Sequence, residues 1–583
     1  MGISVYNVRV RKTRFAFLTL STLVLTGCGK FNFPATNSSS NIGSSEIRTS
    51  EVVASSSKDD TTISSEAKTS ENIPSSEQSS SEEAHTSESS TISDDRKIHI
   101  YAINDFHGQI SESSGEYKMG AAKLFSYLKD KNDEGNTLLC NQGDLYQGSL
   151  ESNYNRGHLL NDIMNYTGFD CMTLGNHEFD WGQTYIEMNK DVSYTSQSDT
   201  SYKTPFLAAN VYDYNINTKT TGINQQSNLG QEYTISTLEN GLKVGIIGVI
   251  GTDQITSITS QYVDDIVFTD PIEKVKRLSD KLRNEDDVDF VVASIHAGTD
   301  VSSSDPTVNQ SSLTEISSVS GKKYVDCVLT AHTHYEEYQE VNGVPFIQDA
   351  CNGKAIGNLE FTVSPDGNVT YDSHNVYHYS DIKSQSVDGN IQDIIDYYGE
   401  ETTPIGNEDL TSFSGTWKYN DHIPNILAES LYKEATNEGY EVQFALVNKT
   451  RAAIYQGDVT YSELFTSVPF DNEIMVIECT GNDLINEVKY NYVYRGIGEA
   501  VDSSKTYKVA VLDYLATHRN KDRDYDYFPS MVEKGTLINS GEPYLYRSIL
   551  ADYLKTKSSW SNSDYATDGN ARFNRTLTNA VEL

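Results

Sequence analysis

The feature that most constrains this chain is a set of short apolar runs rich in Val and Ile, five of which end in a block of Asp, Asn and His. The runs are Ile98–Ile103, Thr137–Cys140, Phe169–Leu174, Val244–Ile250, Phe290–Ile295 and Tyr324–Leu329. Continuous apolar runs of this length read as strands buried on both faces. Helical patterns lie between them. Ala121, Leu124, Phe125 and Leu128 share one helical face, and Asp270-Pro271 opens a second pattern of Ile272, Val275, Leu278 and Leu282. Strands alternating with helices predict a layered α/β domain.

The polar blocks follow five of these strands directly. Asn104-Asp105-Phe106-His107 follows the first and Gly143-Asp144 the second. Gly175-Asn176-His177-Glu178-Phe179-Asp180 follows the third. His296 follows Ile295, and His332-Thr333-His334 follows the last run. Ligands of open α/β sheets gather beyond the carboxyl ends of the strands, so these strands deliver their side chains to one edge. Taken singly, each block reads equally well as a polar strand end. Together they form a mixed oxygen and nitrogen donor set large enough for two cations. Asp144 arrives alone on its own loop, which makes it the candidate to bridge them. Gly143 and Gly175 permit tight turns beside it.

The rest of the chain divides by composition. Arg9, Arg11, Lys12 and Arg14 precede a short apolar run, Phe15–Leu25, and then Leu25-Thr26-Gly27-Cys28. The run is short for a membrane span, and the pattern is that of a lipoprotein signal with lipid attached at Cys28. Residues 29–96 are rich in Ser, Thr, Glu and Asp and nearly lack aromatics, which predicts a disordered tether. The expected organisation is signal and lipidation site 1–28, tether 29–96, metal domain 97–385, linking helix and hinge 386–405, and a second domain 406–583. In that second domain a helix is predicted over Ile423–Ala435, with strands over Gln443–Val447, Met475–Cys479 and Tyr507–Leu512. With Cys28 set aside, Cys140, Cys171, Cys327, Cys351 and Cys479 show no paired spacing, so no disulfide framework is expected. The formal net charge of −38 argues against a nucleic-acid polymer as partner. Membrane contact is expected through the N-terminal lipid alone, which places the protein on the outer face of the cell membrane. The oligomeric state is left open.

Asn104-Asp105-Phe106-His107-Gly108, Gly143-Asp144 with Gln147-Gly148-Ser149, and Gly175-Asn176-His177-Glu178-Phe179-Asp180-Trp181-Gly182 resemble the calcineurin-like metallophosphoesterases, in particular the 5′-nucleotidase branch. The resemblance is close in the first domain and looser in the second. It implies a four-layer αββα domain followed by a smaller α/β substrate domain, and hydrolysis of phosphate esters at two divalent ions (Mn, Zn, Fe or Co). It further implies Asp105, His107 and His334 on one ion, Asn176, His296 and His332 on the other, and Asp144 between them. Ala331 stands where the family has Gly, a mild departure. His177 would give a proton to the leaving oxygen, with Asp180 orienting its ring.

For the second domain the resemblance implies a nucleotide pocket, here only partly matched. Arg451 aligns with the family's Arg, but Asn448-Lys449 replaces a Gly pair. Tyr514 aligns with a base-stacking aromatic, and Asp526 is the candidate for a nearby Asp. The segment carrying the other aromatic is shortened, leaving Tyr492 and Tyr494 as candidates for its place. The expected activity is that of an extracellular 5′-nucleotidase. The alternatives are a 2′,3′-cyclic nucleotide phosphodiesterase, a nucleotide-sugar hydrolase and a non-catalytic surface-binding lipoprotein.

Overall fold

The computed structural model describes residues 94–575 apart from 192–201, 301–307, 521, 523, 532–534, 539–544 and 568–570. The signal, Cys28 and nearly all of the 29–96 tether lie outside the described residues. No helix among the described residues is long and apolar enough to cross a membrane.

The apolar runs build two six-stranded sheets. The first has the order Val369–His378, Ala355–Val363, Arg96–Ile103, Thr137–Asn141, Cys171–Thr173, Phe206–Leu207. Its last four strands are parallel and the first two antiparallel. The second has the order Glu336–Val341, Val344–Asp349, Cys327–Thr330, Phe290–His296, Lys243–Ile250, Tyr233–Thr237, with its four central strands parallel. The site-bearing strands are thus divided between two facing sheets. Asp105, Asp144 and Asn176 follow strands of one, and His296, His332 and His334 end or follow strands of the other. A single sheet edge, as the runs alone suggested, would not bring the two groups face to face.

Alternation along each strand explains why the runs are apolar throughout. Ile98, Ile100 and Ala102 point into the core between the sheets, together with Val244, Ile246, Phe290 and Val292. Their neighbours Tyr101 and Ile103 point outward, beneath Leu124, Phe125 and Leu128 of the helix Gly120–Asp133. On the other outer face Val291, Ala293 and Ile295 meet Ile272, Val275, Leu278 and Leu282 of the helix Pro271–Asn284. Both strand faces are therefore covered, which gives four layers. The Asp270 carboxylate accepts from the amides of Ile272 and Glu273, capping that last helix as its sequence predicts.

The linking segment forms a helix, Gly389–Gly406, with Asp388 as its N-cap. It packs on the helices Gly120–Asp133, Leu150–Tyr154 and His158–Thr167 and also on Tyr461–Ser467. Beyond it, a five-stranded mixed sheet has the order Tyr492–Arg495, Phe444–Val447, Thr506–Leu512, Ile474–Thr480, Thr536–Leu537. A three-stranded sheet and the helix His422–Asn437 complete this part around the fully buried Trp417. Cys140, Cys171, Cys327 and Cys479 are buried free thiols, and Cys351 is a free, half-buried one.

Candidate metal centre and active site

The loops after the strands hold their ligand residues in a backbone conformation that L-residues seldom adopt. Asp105, His107, Asp144, His332 and His334 all have positive φ, from 47° to 74°. Such strain persists only where the surroundings enforce it, and it clusters at functional sites. Close packing is part of that enforcement. A Cβ on Gly175 would lie 2.3 Å from Asp144 Oδ1 and 2.6 Å from His296 Cε1. A Cβ on Gly148 would lie 2.1 Å from the His107 carbonyl oxygen.

Two donor groups result. Asp105, His107 and His334 form one, and Asp144, His296 and His332 the other, each with its donor atoms within 4.8 Å of one another. Asn176 joins the second, its Oδ1 lying 3.2 Å from His296 Nε2 and 3.0 Å from His332 Nδ1. Asp144 Oδ2 lies between the groups, 3.9 Å from His107 Nε2 and 3.4 Å from His296 Nε2. Asp105 Oδ1 lies 3.3 Å from His334 Nε2.

Each carboxylate is anchored by one oxygen. Asp105 Oδ2 accepts from Asn104 Nδ2 at 2.6 Å and the His332 amide at 2.9 Å. Asp144 Oδ1 accepts from the His177 amide at 2.8 Å. The remaining oxygens, Asp105 Oδ1 and Asp144 Oδ2, are buried without a hydrogen-bond partner. Two of the histidines are oriented in the same manner. His296 Nδ1 bonds to the Gln142 carbonyl at 2.7 Å and His107 Nδ1 to the Gln147 carbonyl at 3.1 Å, so each turns Nε2 inward. Orphaned carboxylate oxygens facing oriented imidazoles are the donor set that divalent cations require, so the residues fit two ions.

Electrostatics point the same way. Burial opposes a charged His296 ring, but Asp144 and Asp105 outweigh it and raise its pKa to about 9. At His334 burial is likewise outweighed, by its bond to Asp105 and by Cys351, again to about 9. His332, buried beside His296, is lowered to about 4. The buried carboxylates Asp105 and Asp144 thus favour positive charge beside them, a role that cations fill.

His177 Nδ1 is 2.8 Å from Asp180 Oδ2, which leaves Nε2 free to face a substrate. Burial works against protonation of this ring, but Asp180 and Asp144 prevail and its pKa is raised. Sequence reasoning gave Glu178 no role, yet its carboxylate accepts from the amides of Asp144, Leu145 and Gly175 at 2.7–2.9 Å and so locks two ligand loops together. Its position two residues after Asn176 was the available signal. Phe470 fits the family's framework in Pro469-Phe470-Asp471-Asn472 but was given no role of its own. Its ring stacks on His177 at 5.6 Å between centroids and 28° between planes.

The second-domain candidates fare unevenly. Arg451 reaches the centre: its charge acts on His107, His177 and Asp180, and its Nη2 is buried without a partner. Tyr514 feels the charge of Asp180 and bonds to Tyr527. Asp526 is engaged by His518, whose Nδ1 lies 2.6 Å from Asp526 Oδ1, and Tyr527 stacks on the same His518 ring at 4.0 Å. Tyr492 and Tyr494 do not supply the missing aromatic. They lie in a strand paired with Phe444–Val447, only 5% and 6% exposed, one bonded to the Asn420 carbonyl and the other packed on Tyr432 and Phe573.

Comparison with known proteins agrees with this geometry. Residues 98–336 match the calcineurin-like phosphoesterase family, and residues 409–489 match the 5′-nucleotidase C-terminal domain. A cell wall protein of Listeria monocytogenes is 24% identical over 78% of this chain, which spans 63% of that protein's length. A 5′-nucleotidase of Vibrio parahaemolyticus is 23% identical over 82% of this chain and 92% of its own. An apyrase of Tabanus yao is 26% identical over 67% of this chain and 72% of its own. Among solved structures, a 5′-nucleotidase precursor from Thermus thermophilus shares the fold with a TM-score of 0.61 at 19% identity, covering 80% of this chain and 97% of that one. With both domains matched in the same order, the chain belongs to the 5′-nucleotidase family of calcineurin-like metallophosphoesterases, enzymes that hydrolyse phosphoric esters.

Proposed function

We propose that this protein is an extracellular 5′-nucleotidase with a dinuclear metal centre, releasing phosphate from nucleotides at the outer face of the cell membrane, to which lipid on Cys28 anchors it. The proposed partition is a metallophosphoesterase domain at 97–385, a hinge at 386–405 and a substrate domain at 406–583. The observation that carries the catalytic part is the placing of Asp144 Oδ2, buried and unpartnered, between His107 and His296. Asp105, His107 and His334 would hold one cation and Asn176, His296 and His332 the other, with Asp144 shared. When bound, such a pair supplies Lewis-acid activation of water and neutralises charge on the phosphoryl oxygens.

The chain's own residues do the rest. Arg451, with an unpartnered Nη2 beside His107 and His177, offers a planar donor to a phosphoryl oxygen. Asp180 accepts from Nδ1–H and favours a second proton at Nε2 of His177, and that Nε2 proton would pass to the departing ribose oxygen, leaving the ring neutral. Phe470 covers one face of the imidazole and keeps water from it. Tyr514 offers a ring for the base, while Asp526, held by His518, borders the same cluster.

The test is phosphate release from AMP, ATP, a nucleotide sugar, a 2′,3′-cyclic nucleotide and a small generic ester, with Mn or Zn supplied. Preference for AMP and ATP over the generic ester, reduced in Tyr514→Ala, supports the reading. Equal rates on all esters, or turnover of the cyclic nucleotide alone, would replace it.

A further inference from the structure

The edge of the sandwich opposite the metal ligands carries a second cluster of polar groups. The ligands follow the carboxyl ends of the parallel strands, whereas this cluster lies where strands begin. Asp326 immediately precedes Cys327–Thr330, Val344 opens Val344–Asp349, and Val369 opens Val369–His378. Between them is a cavity of about 240 Å³ lined by Arg283, Lys322, Lys323 and Asp326, with Phe361 and Tyr371 as aromatic walls.

Its charge is opposite to that of the chain. The protein has 83 Asp and Glu against 45 Lys and Arg, yet three cations and one carboxylate line this cavity. That carboxylate is already engaged: Asp326 Oδ2 accepts from Arg283 Nη2 at 2.9 Å and from the Val291 amide at 2.7 Å. The neighbouring acid, Asp366, is tied to Ser364 and Asn368. Lys322 is exposed at the rim, and Lys323 Nζ donates to the Asn342 carbonyl, its one hydrogen bond among the described residues.

Arg283 supplies the second, independent observation. Its side chain is 3% exposed, and its Nε and Nη1 are buried with no hydrogen-bond partner. A guanidinium presents its donors as a fork matched to two oxygens of one anion. Here a single nitrogen is used by Asp326 and two remain. Donors left unpaired in the interior are costly, and an oxygen-rich anion satisfies them. The cavity is below the usual range for a drug-sized ligand, so a small ion or a single anionic group fits best.

We propose that this cavity is a binding site for a phosphate-type dianion, either free orthophosphate or the phosphate group of a small ester, held by Arg283 with Lys322 and Lys323. It is separate from the metal centre and does not depend on which ester is hydrolysed there.

The experiment is equilibrium dialysis of the metal-loaded full chain against radiolabelled orthophosphate. The Lys322→Glu/Lys323→Glu double variant is run alongside; it alters residues at the cavity mouth and leaves Arg283 in place. The expected result is one fewer phosphate bound per chain in the double variant, with ester hydrolysis unchanged. Arg283→Lys, which keeps the charge and loses the fork, is expected to bind that phosphate at least tenfold more weakly. Should Arg283→Lys fail to fold, the lysine variant carries the test alone. Displacement of the label by glycerol phosphate assigns the site to the phosphate group of an ester, and lack of displacement assigns it to the free ion. The same amount of phosphate bound by the wild type and the lysine variant would overturn the proposal.

Discussion

The ring of Phe470 lies against the imidazole of His177, 5.6 Å between centroids, so a side chain of the second domain covers a side chain of the first beside the metal ligands. The contact has a consequence for catalysis. Stacked aromatic pairs contribute about 0.5–1.5 kcal/mol beyond their buried area. Phe470→Ala is therefore expected to lower kcat about 2- to 12-fold, the rate equivalent of that energy. Phe470→Tyr should retain most of the activity. Steady-state kinetics on the preferred ester checks both.

The His177–Asp180 pair predicts a pH effect. Asp180 and Asp144 raise the pKa of the His177 ring against the pull of burial. A proton donor works while it is protonated, so activity falls as pH rises through that pKa. Asp180→Asn removes the larger of the raising charges, and the alkaline fall is expected to move to lower pH. His177→Ala should cost about 10²–10⁴ in kcat, the usual worth of a positioned acid. An Asp180→Asn profile that overlays the wild type would refute the assigned role.

Gly175 offers a steric test that leaves every ligand in place. A methyl group there would meet Asp144 Oδ1 at 2.3 Å, with backbone also at 2.7 Å, so the loop must shift. Gly175→Ala is expected to lose metal and activity together while the fold is retained. Metal analysis and circular dichroism on one sample would show it.

Asp471 joins distant parts of the chain. Its Oδ1 accepts from Arg547 Nη2 at 2.8 Å, and its Oδ2 pairs with Arg156. Burial would raise its carboxyl pKa, but the two guanidiniums prevail and hold it low. Arg547 is 4% exposed, so Asp471→Ala leaves a buried charge without its carboxylate. Loss of one partner of a buried pair costs about 3–5 kcal/mol. Denaturant unfolding is expected to show a loss of that order, with a smaller loss in Arg156→Ala.

Asp162 sets a pH dependence of stability. It lies on the helix His158–Thr167 and accepts from Tyr398 Oη, on Gly389–Gly406, at 2.5 Å. Burial raises its pKa from 3.8 to about 7, the tyrosine bond opposing only in part. The folded state thus binds the proton more tightly than the unfolded state. The stabilisation is complete below pH about 4 and is lost as pH rises through about 7. Asp162→Asn should raise the Tm relative to wild type at pH 8, with the difference shrinking towards pH 4. A difference independent of pH would contradict this.

Much of the site was legible because its strands are covered on both faces. Runs such as Phe290–Ile295 are apolar throughout for that reason, and the polar residues that end them stand out. The helix cap at Asp270 was equally plain, since capping is a local interaction. What escaped was non-local. Nothing in the spacing of the runs tells that Asp144 and His296 approach from different sheets, or that five ligand positions take positive φ. Phe470 and Asp471 meet His177 and Arg156 across the chain, and no periodicity records that meeting. Tyr492 and Tyr494 misled because an aromatic in a buried strand reads the same as one beside a pocket.

The central claim is a two-cation centre with Asp144 shared between the groups. The direct measurement is the metal content per chain, with phosphate release from AMP, for the wild type and Asp144→Ala after reconstitution with Mn or Zn. The account predicts two ions per wild-type chain, and in the variant a loss of at least one ion with hydrolysis reduced to background. Two tightly held ions and undiminished hydrolysis in Asp144→Ala would contradict it.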